Sequence, residues 1–234
     1  MGAVRAVVWL GVAAAFMARW AVPIAPQLDH LVVAIRSLDE GVAQFQALTG
    51  VTAGIGGKHP GRGTENALVS LGGGSYLEII APQKDAKLSA EDAVMRGLAR
   101  LTIIDWAVRV IDVDEARASL QRAGFTTSPP QPGARLTPSG ERLDWMTFGL
   151  AGAQIDSAPF FIRWSPNTRH PATTAPSGCT LERLTVADPR ADRLTGMLRA
   201  LDVRSVVVAN GPATIEAALT CASKRAILAS ASVK

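Results

Sequence analysis

The segment Leu28-Asp29-His30-Leu31-Val32-Val33-Ala34-Ile35 returns later in the chain as Ile104-Asp105-Trp106-Ala107-Val108-Arg109-Val110, so the chain is built on a duplicated unit. A repeat constrains the fold before any single residue does, because each copy has to be one supersecondary element that packs against its twin. The residues after each copy match as well. Ser37-Leu38-Asp39-Glu40 and Asp112-Val113-Asp114-Glu115 each offer a helix cap with Glu three positions on, and both helical patterns stop at a glycine, Gly50 and Gly124. A weaker third copy begins at Leu181-Glu182-Arg183-Leu184-Thr185-Val186 and enters its helix through Asp188-Pro189. Matched on their shared aspartate, the first two copies differ where chemistry is at stake: His30 has become Trp106.

Alternation puts Leu31, Val33 and Ile35 on one strand face and Leu28, His30, Val32 and Ala34 on the other. Leu38, Val42, Phe45 and Leu48 come next at helical spacing and can cover the first face. After Gly50 come a weak short strand, a glycine-rich loop from Gly56 to Thr64, a strand Asn66 to Leu71, a turn Gly72-Gly73-Gly74 and a strand from Tyr76 to Ile80. The first unit, 28–81, therefore reads as strand, helix and three strands. Residues 82–102 read as a linker with a helix capped by Ser89 and striped by Val94, Leu98 and Leu101. The second unit, 103–164, has strands at Ile103 to Val110, after Phe125, at Leu143 to Leu150 and at Pro159 to Trp164, with a Pro/Gly-rich loop from Ser128 to Gly140. A partial third repeat covers 180–220 and leaves a tail, 221–234. A module of about 60 residues buries too little surface alone, so the two full units are expected to pair.

Composition is that of an ordinary globular α+β chain, 48% hydrophobic and 19% charged. The net charge of +4 is spread without a run or stripe, so no nucleic-acid partner is expected. Cys179 and Cys221 lack metal-ligand spacing and are buried thiols or, in an exported protein, one disulfide. Residues 1–27 hold an apolar stretch, Ala6 to Ala18, too short to span a bilayer. Two readings stay open for them: a signal peptide with a poor cleavage site, or a lead before a true start at Met17. A cytoplasmic protein is the expectation, with export through an N-terminal signal peptide as the alternative. A homodimer is left open.

No dinucleotide-binding glycine pattern, phosphate-loop lysine or nucleophile elbow is present, which disfavours hydride transfer, nucleotide hydrolysis and serine-esterase chemistry. His30 sits opposite the helix side, and Glu78 sits on the same kind of face, flanked by Leu77 and Ile79. A carboxylate there costs several kcal/mol unless protonated, paired or bound to metal. His30 and Glu78 are thus half of a candidate divalent-metal site, with a simple hydrogen bond between them as the bland alternative. His59 lies in the glycine-rich segment before Thr64 and Asn66, where backbone amides could hold a polar substrate group. His170 comes after the last strand of the second unit and could fold over the site. Arg163, alternating with Phe160, Ile162 and Trp164, suits an anion or an acid partner.

Three stretches together resemble a family: Leu28-Asp29-His30-Leu31-Val32-Val33; His59-Pro60-Gly61 with Gly63-Thr64 and Asn66-Ala67-Leu68; and Tyr76-Leu77-Glu78-Ile79-Ile80. They are similar to the glyoxalase-like branch of the vicinal oxygen chelate superfamily, a resemblance that runs over roughly residues 28 to 220. It implies paired βαβββ modules whose curved sheets enclose a cup, with ligands offered by each module's first and last strands. His30 and Glu78 carry over. The second module departs, because its matching positions are Trp106 and Phe161 or Ile162, so a four-ligand glyoxalase I site is not expected. A divalent metal (Zn, Ni, Mn or Fe) would need His59 or His170 as a third ligand, and it would polarise two oxygens of a small substrate. Asn66, Trp106 and Arg163 are the expected substrate contacts. The resulting expectation is a metal-assisted lyase, isomerase or dioxygenase acting on a small oxygenated molecule; the alternative is a metal-free module that binds or sequesters one.

Overall fold

The computed structural model describes residues 27–222 and 224–231. The N-terminal lead, with either of its two readings, lies outside the described residues apart from Gln27. The chain runs β1 (Gln27–Ala34), α1 (Leu38–Thr49), β2 (Gly54–His59), β3 (Thr64–Ser70) and β4 (Tyr76–Pro82), then a short α2 (Ala90–Ala93) that tightens into a 3-10 turn. The second unit is β5 (Thr102–Arg109), α3 (Val113–Arg122), β6 (Gln131–Leu136), β7 (Arg142–Phe148) and β8 (Phe160–Trp164). The third is β9 (Cys179–Asp188), α4 (Ala191–Ala200), β10 (Val206–Asn210), β11 (Thr214–Cys221) and β12 (Lys224–Ala229). The first two units are βαβββ modules of mixed sheet, and their strands succeed one another as β1-β4-β3-β2-β6-β7-β8-β5 around a closed ring.

Helices pack outside the ring for the reason the periodicity gave. Phe45 and Leu38 of α1 bury against Leu31, Val33, Ile35 and Ile79 in the main core. A Cβ on Gly41 would meet methyls of Ile35 and Ile79 at 2.8 Å, so α1 lies against the sheet with no side chain between them. Gly50 closes the helix in the left-handed region, φ 78°, and its N–H reaches Gln46 O.

Both segments expected as loops contain strands. The Gly56 to Thr64 stretch is the end of β2, a tight turn and the start of β3, while β6 lies inside the Pro/Gly-rich run. Glycine serves close backbone approach as well as turns, and here it serves the former. A Cβ on Gly57 would collide with Leu136 O, where β2 meets β6 at the single pair Lys58 and Leu136. A Cβ on Gly133 would collide with Trp145 Nε1, so the indole of β7 packs directly against Gly133 of β6.

The second copy of the repeat lies one residue out of phase with the match in sequence. β1 and β5 pair antiparallel, with one bulge between Leu28 and His30 and a second opposite Val32 and Val33, where β5 steps from Asp105 to Ile103. A bulge places two consecutive residues on one face. Asp29 and His30 therefore share the cup face, as do Ile104 and Asp105, while Leu28, Leu31, Ile103 and Trp106 point into the core. Leu28 is thus not beside His30, and Trp106 does not face the cup: it is fully buried, its Nε1 donating to Ser157 O. The residue equivalent to His30 is Asp105. By the same register Val32 pairs with Glu78 and Ala107 with Phe160, so the partner of Glu78 in the second module is Phe160, whereas Phe161 sits in the core.

In the linker Ser89 caps α2 as expected, accepting from Asp92 N, but Val94 is exposed and Met95 is the buried residue. Met95 joins Val32, Ala34 and Ile80 in a small buried cluster separate from the main core. The third unit orders its strands β10-β9-β11-β12, with β9 parallel to β10, a pairing unlike that of the two modules, and β12 lies in the segment read as tail. Leu194, Leu198 and Leu201 are buried as their spacing predicts. Cys179 and Cys221 face each other across β9 and β11 and form a disulfide. Among the described residues no helix is long and apolar enough to cross a membrane.

Candidate functional site

The ring encloses a cavity of about 860 Å³, a size suited to a small molecule. Its wall includes His30, His59, Asn66, Tyr76 and Glu78 from the first module, and Asp105, Arg135, Trp145, Phe160 and Trp164 from the second.

His30 is fixed on three sides. The bulge turns Asp29 alongside it, and His30 Nδ1 lies 2.7 Å from Asp29 Oδ1. Tyr76 stacks on the imidazole at 4.6 Å and Phe160 meets it edge-on at 5.4 Å. Burial alone would raise the Asp29 carboxyl, but hydrogen bonds from His170 and His30, with their charges, outweigh it and hold the group far below the ordinary carboxylate range. An ionised carboxylate only accepts, so His30 donates from Nδ1. Nε2 is the atom left facing the cavity, 3.7 Å from Glu78 Oε2.

Asp29 is a site residue that the sequence did not single out. It is fully buried and also accepts from His170 Nε2 at 2.9 Å and from Trp164 Nε1 at 3.1 Å. His170, one of the two expected third ligands, has both ring nitrogens committed, since Nδ1 accepts from Ala172 N. It steadies Asp29 from behind and does not line the cavity.

Glu78 lies between two imidazoles. His59 Nε2 is 3.6 Å from Oε1, and Asn66 Nδ2 donates to that same oxygen at 2.6 Å. Burial raises the Glu78 carboxyl, yet the charges of His59 and His30, the Asn66 hydrogen bond and Arg135 together leave it below its usual value, an ionised carboxylate near pH 7. For His59 burial is the larger effect and lowers the pKa against the pull of Glu78, which leaves a neutral imidazole at pH 7. Asn66 Oδ1 is buried without a partner among the described residues. It fills the space a Cβ on Gly56 would need, so that glycine makes room for the amide to reach Glu78.

Asp105 is a second site residue, after Asp29, that the sequence did not single out. Burial pushes its pKa up to about 7, only partly offset by the hydrogen bond from Trp106 N. Since the folded-state pKa is raised, the unfolded chain releases this proton first, and the group costs stability increasingly as pH rises from about 4 to about 7. Asp105→Asn is therefore expected to be neutral for stability near pH 4 and stabilising at pH 7 and above. Thermal midpoints of both proteins from pH 4 to 8 check this; a difference that does not grow with pH would remove Asp105 from the titrating groups.

Arg163, expected to contact substrate, does not line the cavity. Phe160, Ile162 and Trp164 take the cup face of β8, while Arg163 turns outward and donates to Ile111 O.

The resemblance brings a divalent metal with it, and no metal site is evident among the described residues. Glu78 stands between His30 and His59 at ion-pair distances, with one oxygen already held by Asn66. Among the described residues no three His, Cys, Asp or Glu side chains group closely enough to hold an ion.

Two βαβββ modules paired across β1 and β5 around a cup define a protein of the vicinal oxygen chelate fold. Residues 28–201 match the family described as "Glyoxalase-like domain", and the chain belongs to that family. Among solved structures it is similar to a hypothetical protein from Staphylococcus aureus, at 17% identity and TM-score 0.61, over 89% of this chain and 87% of that one. It also aligns with methylmalonyl-CoA epimerase from Streptomyces coelicolor, at 18% identity and TM-score 0.43, over 59% of this chain and 97% of that one. A hypothetical protein from Bacillus halodurans aligns at 18% identity and TM-score 0.45, over 62% of this chain and 96% of that one. At such identities the likeness is one of fold. A comparison with curated proteins finds no match.

Proposed function

We propose that the protein is an enzyme that moves a proton at a carbon next to an oxygen function of a small molecule, the step shared by isomerases and lyases of this kind. One observation carries the reading: His30, held by buried Asp29, presents Nε2 beside ionised Glu78 on the first module, while Asp105, with a pKa of about 7, holds the equivalent position on the second. A group whose pKa lies near working pH is well placed both to give and to take a proton. In this scheme Glu78, with His30 behind it, takes the proton as the C–H bond breaks. The electron pair passes to the neighbouring oxygen, and protonated Asp105 returns a proton to substrate. These side chains suffice for both transfers.

A second reading, binding without turnover, draws on the aromatic wall of Trp145, Phe160 and Trp164. Deuterium uptake from D2O into a panel of small 2-oxo acids, hydroxyketones and hemithioacetals separates the two, with bound metal measured on the same samples. Uptake by wild type without added metal is expected. Binding without uptake favours the second reading, and uptake only with stoichiometric divalent metal restores the metal-assisted one. The Cys179–Cys221 disulfide supports export over a cytoplasmic location, because such bonds persist in oxidising compartments.

A further inference from the structure

Arg135 is a charge without a counter-ion in contact. It is only 4% exposed, yet among the described residues no carboxylate lies within salt-bridge distance of it. Its one hydrogen bond runs from Nη1 to the carbonyl of Gly56, which leaves Nε and Nη2 without protein acceptors. The other arginine on the cavity wall, Arg62, is already held by Asp92 at 2.7 Å. Burying an uncompensated guanidinium costs several kcal/mol, which makes an unpaired one in a cavity wall a sign of a ligand charge.

Its neighbours are donors too. Gly133 and Arg135 share one face of β6, and Trp145 lies over Gly133 with Nε1 turned to that strand and no acceptor among the described residues. The Tyr76 hydroxyl likewise has none, and burial keeps it protonated by raising its pKa well above the usual value. A wall of unpartnered donors around a planar fork matches two coplanar oxygens. Only one positive charge is on offer, and Glu78 faces the same space, so a dianion would be repelled.

We propose that Arg135, with Trp145 beside it, is the receptor for the carboxylate of a small monocarboxylic acid bound in the cup. The proposal rests on the proton-transfer reading only for which part of that acid reacts, since the anchored carboxylate would leave the adjoining carbon to Glu78 and Asp105.

Calorimetric titration of the full chain with benzoate and benzamide, pyruvate and pyruvamide, and inorganic phosphate tests it, because each acid and its amide share shape and differ in charge. The acids are expected to bind wild type roughly 10- to 100-fold more tightly than their amides. Arg135→Gln should erase that difference, and Arg135→Lys should restore part of it. Trp145→Phe, which keeps the ring and loses the N–H, should weaken the acids more than the amides. Acids and amides binding wild type alike, or acids binding Arg135→Gln as tightly as wild type, would show that Arg135 merely balances Glu78. Preference for phosphate would overturn the ligand class. Should Arg135→Gln fail to fold, the acid and amide comparison on wild type and on Trp145→Phe decides. Carboxylate binding without deuterium uptake would sink the enzymatic reading and leave this one standing.

Discussion

His30→Ala is expected to lower turnover by roughly 10²- to 10⁴-fold, the range of a positioned acid or base. The imidazole is locked by Asp29, Tyr76 and Phe160 in one orientation beside Glu78. Glu78→Gln keeps the Asn66 contact within reach and removes only the charge, so it should fall in the same range with the fold intact. His170→Ala acts through Asp29 and is expected to cost far less activity than either. Initial rates on the first substrate to show deuterium uptake, with circular dichroism as the control for folding, read all three. Full activity in His30→Ala would remove the Asp29–His30–Glu78 line from the mechanism.

Asp29→Ala is expected to cost about 3–5 kcal/mol of stability, because three donors lose their buried acceptor at once. Those donors are His30 Nδ1, His170 Nε2 and Trp164 Nε1. The carboxyl is held below its unfolded-state value. Its stabilisation is therefore fully present above about pH 4 and drains away as pH falls below that. Urea unfolding at pH 7 and at pH 3 should show a large gap between wild type and Asp29→Ala that narrows at the lower pH. An equal gap at both would mean that Asp29 acts by packing alone.

Much of this protein is legible in its order of residues. The duplication, the helix stripes ended by glycines and the isolation of His30 and Glu78 on one strand face all rest on local periodicity, which the chain carries in its order of residues. The two glycine-rich segments read as loops because glycine writes the same letters for a turn and for two backbones in contact. That ambiguity hides β6, and with it Arg135. His59 belongs near Asn66 as its spacing suggests, but it ends a strand and hydrogen-bonds Thr64 across the turn instead of lying in a loop.

The sequence by itself determined two strand–helix modules, an apolar side for each and a polar patch on the first. Only the tertiary structure decided the phase of the second. Identity alignment matches Asp105 to Asp29 and makes Trp106 the counterpart of His30. The two bulges on the β1–β5 seam shift that match by one residue, sending Trp106 to the core and Asp105 to the cup. Side chains alternate with a period of two, so one inserted residue exchanges the faces of everything beyond it. A bulge forms between partner strands and leaves no mark in either strand read alone. The asymmetry between an Asp-His and an Asp-Trp is thus an asymmetry between a histidine and an aspartate facing one cavity.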